Sequence, residues 1–225
     1  MSTVKLISIL ISTVLINTAS YAQNNSIIDT VMKSQASMVE VYATPDDPST
    51  ATSLINSQLE KRGLGVIVHS SGLIVTNLHT ISFAKKIAVE LNDHTIFSGK
   101  ILRVLPEYDL VLLKIYPKKR LFPIAIDDAN KIQPGETIIN VGGSPLLKNT
   151  ISEGKVIGIG QDPTDHEAVL LKVKIRLYRG DSGGPLLNQD GKLIGMVMGK
   201  IKGRLNEFSI GISSNKIKFL CADFY

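Results

Sequence analysis

Residues 178–188 read YRGDSGGPLLN, and the interpretation of this stretch decides the rest of the chain. Gly180, Gly183, Gly184 and Pro185 surround one serine, Ser182, and one acid, Asp181. Glycine opens backbone conformations of positive φ and proline removes an N–H donor, so helix and strand interiors avoid this mixture. The stretch is therefore a shaped turn. It is either a plain hairpin connection or a loop that presents Ser182 and neighbouring backbone N–H groups to a reacting carbonyl.

On both sides of the turn the pattern is almost wholly β. MVEVYA (38–43) alternates like a strand, GLGVIVHSSGLIVTN (63–77) gives two short strands joined by Ser70-Ser71-Gly72, and KKIAVELNDHTIFSGKILRVL (85–105) gives two more around Asn92-Asp93. DLVLLKIY, ETIINVG, ISEGKVIGIGQ, AVLLKVKI, PLLNQDGKLIGMVMGK and EFSIGISS continue the series, each break marked by Gly, Pro or Asp. Residues 26–37 and NKIKFLCADF (215–224) read as helices, and 44–62, with two prolines and many small polar residues, as a long loop. So many short strands predict a sandwich or barrels rather than alternating βα units.

A serine hydroxyl needs a base to take its proton, and the base usually needs a carboxylate to orient it. Of the four histidines, His69 and His94 fall at strand ends or turns and His166 lies among acids in DPTDHE, so all three read as surface residues. His79 follows the apolar strand GLIVTN; in isolation it reads as a structural histidine. Asp109 stands directly before LVLLKI, where a charge is costly unless paired.

VTNLH, YDLVLLKI and GDSGGPLLN resemble the three catalytic segments of the chymotrypsin-like serine proteases, and GLGVIVHSSGLIVTN with GGSPLLKNTISEGKVIGIGQ resembles the HtrA/Deg branch. The likeness runs from about Met38 to Leu220. It implies an all-β fold of two antiparallel six-stranded barrels, roughly 37–125 and 126–215, with the active site in the cleft between them. By the resemblance Ser182 is the nucleophile, His79 the base and Asp109 its orienting acid, with the N–H groups of Gly180 and Ser182 as the oxyanion hole. The substrate pocket is then expected from Leu177, Met198 and Ile201, apolar groups suited to small or medium apolar side chains, with Arg176 on the opposite strand face. Four departures stand out, the smallest being Leu78-His79-Thr80 where members often read NHV. Asp181 replaces the branch's usual Asn, Met198 stands where members commonly place Ser or Thr near the triad acid, and only five residues follow Leu220, so no PDZ domain is expected.

The first 22 residues carry one charge, Lys5, an apolar run from Leu6 to Ile16 and a small-x-Ala ending at Ala22, which predicts a secretory signal peptide. A run of eleven residues is too short for a membrane span, which needs about 20, so no stable membrane insertion is expected after cleavage and residues 23–225 form the protease domain. Loss of Lys5 lowers the formal charge from +5 to +4. The basic residues are scattered without aromatic partners, so nucleic acid is not an expected ligand. One cysteine, Cys221, excludes an intramolecular disulfide and a cysteine-only zinc site, and reads as a buried small hydrophobe. The expectation is an exported endopeptidase, periplasmic or secreted, acting on unfolded or flexible protein segments without metal or organic cofactor; the resemblance admits a homotrimer. The alternative is a peptide binder or chaperone of the same fold that does not cleave.

Overall fold

The computed structural model describes residues 29, 31–32, 34–44, 61–82, 84–143, 148–162, 165, 168–178, 180–202 and 207–224. The expected leader, most of the expected loop 44–62 and His166 lie outside them.

Apolar runs punctuated by turn residues become thirteen strands among the described residues. The first seven are β1 (Met38–Thr44), β2 (Lys61–His69), β3 (Leu73–Asn77), β4 (Lys86–Leu91), β5 (Ile96–Ser98), β6 (Lys100–Leu105) and β7 (Leu110–Lys114). They form one antiparallel sheet in the order β5-β4-β1-β2-β3-β7-β6. The remaining six are β8 (Thr137–Gly143), β9 (Lys148–Gln161), β10 (Val169–Ile175), β11 (Pro185–Leu187), β12 (Leu193–Lys202) and β13 (Glu207–Ser213). These close into an antiparallel barrel in the order β10-β13-β12-β11-β8-β9.

The first sheet departs from the expected six-stranded closed barrel: it has seven strands and, among the described residues, its two edges are not paired with each other. β5 and β6 lie at its opposite edges, yet a single residue, Gly99, separates them in the chain. Consecutive Cα atoms are about 3.8 Å apart, so the sheet must curl until its edges adjoin. What reads in the sequence as one strand, TIFSGKILRVL, is bent at Gly99 and contributes to both edges.

Among the described residues, apolar side chains gather in three clusters. β7 shows why its sequence is continuously apolar rather than alternating: Leu110 and Leu112 face one cluster while Val111 and Leu113 face another. The second cluster lies within the curled sheet, around Val41, Ile74 and Val89. The third fills the closed barrel, around Ile138, Val156, Leu171 and Leu186. The first joins the two halves, bringing Val66, Val75 and Leu112 against Ile139, Leu187 and Met196, and is capped by Ile217, Leu220 and Cys221 of the helix Ser214–Cys221. Cys221 is fully buried, as its apolar surroundings in the sequence suggested.

Candidate active site

His79 stands on a one-turn helix, Leu78–Ile81, that follows β3 without a break. Asp109 stands between a 3-10 turn, Pro106–Tyr108, and β7. Because β3 and β7 are neighbours in register from Leu73↔Lys114 to Asn77↔Leu110, the end of one strand meets the start of the other. Asp109 Oδ2 accordingly lies 2.5 Å from His79 Nδ1, and Oδ1 accepts the backbone N–H of His79 at 2.8 Å. The Asp109 carbonyl accepts from the Leu78 N–H at 2.9 Å and from Asn77 Nδ2 at 3.0 Å. Both ends of the acid are thus tied to residues 77–79. Asp109 has φ 53°, a left-handed conformation that costs an L-residue about 1–2 kcal/mol. Those ties hold it there, and such strain at a carboxylate facing an imidazole is a pointer to function.

Ser182 lies in the turn between β10 and β11, where Gly180 and Gly183 have φ 103° and 78°. A side chain on Gly183 would place Cβ 2.0 Å from the Leu64 carbonyl oxygen and 2.6 Å from Thr76 Oγ1, so only glycine fits. The turn is stitched to the first sheet: Leu64 N–H donates to the Ser182 carbonyl at 2.8 Å, and Gly183 N–H donates to Asn77 Oδ1 at 2.6 Å. A Cβ on Gly63 would meet Thr80 Cγ2 at 2.5 Å and the Ser182 carbonyl at 3.0 Å. The helix of His79 and the turn of Ser182 therefore converge on Gly63. The N–H groups of Asp181 and Gly184 are used within the turn, by the carbonyls of Tyr178 and Asp181. Among the described residues no acceptor takes the N–H of Gly180 or Ser182. An imidazole buttressed by a carboxylate, a serine on a glycine-shaped turn and two N–H groups beside it are what acyl transfer requires.

Residues 63–196, more than half of the chain, match the family described as trypsin-like peptidase domain. The chain belongs to this family. It is 34% identical over 155 residues to the periplasmic pH-dependent serine endoprotease DegQ of Escherichia coli K12, covering 68% of this chain and 32% of that protein. To serine protease HTRA1 of Xenopus laevis it is 29% identical over 170 residues, covering 72% and 36% respectively. It therefore spans about a third of the length of these curated relatives. The HtrA-type protease AlgW with tripeptide superposes with a TM-score of 0.71 at 21% identity, covering 88% of this chain and 62% of that one, a likeness of fold.

The other expected residues of this trypsin-like peptidase domain are more dispersed. Val173 and Leu177 are buried while Lys174 and Arg176 are exposed, the alternation expected from sequence, and the Arg176 guanidinium lies 5.3 Å from the Tyr178 ring centre. Leu177 belongs to the core of the closed barrel. Met198 is half-buried against the inter-barrel cluster that holds Tyr108 and Leu110. It occupies a β-bulge, Val197 pairing with Gly211 and Gly199 with Ile210, and its thioether can offer Asp109 no O–H. Ile201 lies in β12.

Asp181 is buried; its Oδ2 accepts the Tyr178 N–H at 2.7 Å and its Oδ1 packs against Gly142, where a Cβ would come within 2.2 Å. This closes the turn from within. His69 and His94 have local polar partners, Ser71 and Glu90, and no part in the site. The residue that sequence reasoning passed over is Asn77. Its signal was a polar side chain ending the five-residue buried strand LIVTN, a place where an amide must find partners.

Proposed function

We propose that this chain is an exported serine endopeptidase of the HtrA type, with residues 23–225 forming the peptidase domain after removal of a leader at 1–22. The observation that carries the reading is the contact of His79 with Asp109 at the edge of the glycine-shaped turn of Ser182. In the proposed cycle Ser182 Oγ attacks the scissile carbonyl carbon while His79 Nε2 takes the hydroxyl proton. Asp109 holds the Nδ1–H and stabilises the imidazolium that forms. The carbonyl oxygen, now negative, is received by the N–H groups of Gly180 and Ser182. Collapse of the tetrahedral intermediate breaks the C–N bond, the leaving amine takes its proton from His79, and water then hydrolyses the acyl-enzyme by the same relay.

Substrates are proposed to be unfolded or flexible segments, because an extended strand must lie in the cleft between the two halves. Small or medium apolar side chains before the cut are proposed from the half-buried Met198; Leu177 is packed in the barrel core and is not offered to them. Export is supported by the leader-like sequence and by the periplasmic relative, and no helix among the described residues is long and apolar enough to cross a membrane. A trimeric assembly belongs to the same reading.

The test is hydrolysis of casein by the purified protein beside Ser182→Ala, with fluorophosphonate labelling of the activated serine. Cleavage and labelling are expected in the first and neither in the second. Casein cleavage undiminished in Ser182→Ala overturns the nucleophile assignment. A well-folded chain that neither cleaves nor labels is a binder, not an enzyme.

A further inference from the structure

We infer that Asn77 is a positioning residue that sets the nucleophile turn against the acid–base pair; the inference rests on the proposed triad. Asn77 is fully buried, and its one amide spans two segments that carry chemistry. Oδ1 accepts the N–H of Gly183, the residue after the nucleophile, at 2.6 Å, and Nδ2 donates to the carbonyl of Asp109 at 3.0 Å. Its own main chain leads through Leu78 into His79. One side chain therefore fixes the acid, the base and the serine turn relative to each other, although 106 residues separate Asn77 from Gly183.

The need for such a link follows from the fold. His79 and Asp109 belong to the first sheet, whereas Ser182 belongs to the closed barrel, and small displacements between two packed halves misalign a proton transfer. Backbone contact from Leu64 to Ser182 fixes the turn at one point. The Asn77–Gly183 bond supplies a second, and two points are needed to stop rotation about the first. Met198 gives Asp109 no hydroxyl support, so the Asn77 and Leu78 donors on the Asp109 carbonyl anchor the acid from its main chain instead.

The experiment compares wild type, Asn77→Ala and Asn77→Asp of the full-length protein, reading labelling of Ser182 by a fluorophosphonate as a maximal rate and a half-saturating concentration. Folding is followed by thermal unfolding. Asn77→Ala removes both links and leaves buried partners unpaired; a loss of about 10–100-fold in maximal labelling rate is expected, with the half-saturating concentration within twofold. Asn77→Asp keeps an acceptor for Gly183 and recovers part of the rate, provided the variant melts as a folded protein. Should Asn77→Ala fail to fold, Asn77→Asp alone decides. A folded Asn77→Asp or Asn77→Ala that labels at the wild-type rate overturns the inference, as does a loss confined to the half-saturating concentration. Absence of Ser182 labelling in folded wild type instead overturns the triad reading, which separates the two.

Discussion

Asp109 and Gly183 are two of the positions, with Gly180, where a left-handed or positive-φ backbone is committed to the site. Asp109→Asn preserves shape but leaves an amide where a carboxylate holds the imidazole, and the rate is expected to fall by about 10⁴, the scale measured for such triads. Casein hydrolysis measured over a range of pH checks this; a loss of less than tenfold would mean that another group orients His79. Gly183→Ala forces a Cβ against the Leu64 carbonyl at a left-handed φ, so a stability loss of more than about 1 kcal/mol is expected in urea melts, together with loss of labelling. The proposed roles of His79, Asp109 and Ser182 come from three segments standing in order along the sequence, since His79 in isolation reads as a structural histidine. Asn77 was not legible, because an asparagine ending a strand looks like an ordinary terminator until its two partners, far away in sequence, are seen.

At the scale of elements, β7 and the 3-10 turn before it do most to place the acid. Periodicity alone could not assign β7, since burial on both faces erases the two-residue alternation; its boundaries in the sequence came from Asp109 and Pro117. The bend at Gly99 was missed for a related reason: glycine inside a strand-like run marks a bend only once the strand's two ends are known to pair elsewhere. Tyr108, in the same 3-10 turn, is buried and donates to Asp165 Oδ2 at 2.8 Å, and Asp165 in turn pairs with Lys216 of the helix Ser214–Cys221. Burial first, and then the Asp165 carboxylate, raise the Tyr108 phenol above its ordinary value. The folded state then holds this proton more tightly than the unfolded chain does. Its contribution to stability is complete below about pH 10 and drains away as pH rises beyond that. Urea melts between pH 8 and 11 are expected to show a decline that Tyr108→Phe makes shallower; an unchanged decline would assign the alkaline sensitivity elsewhere.

For the whole molecule, the decisive feature is that one cluster is shared by both halves. Leu112, fully buried between them, is expected to cost about 2–5 kcal/mol when cut to Ala and to lower the whole unfolding transition rather than split it. Two resolved calorimetric transitions would show that the halves melt independently. The barrel closed by β10 and β13 carries a different implication, about timing. During synthesis the ribosome releases His79, Asp109 and Ser182 well before Glu207–Ser213, yet the ring cannot shut until that last strand arrives to lie between β10 and β12. A nascent chain thus holds His79, Asp109 and Ser182 while lacking the strand that closes the barrel. A chain stopped after Lys202 is accordingly expected to leave Ser182 unlabelled by fluorophosphonate.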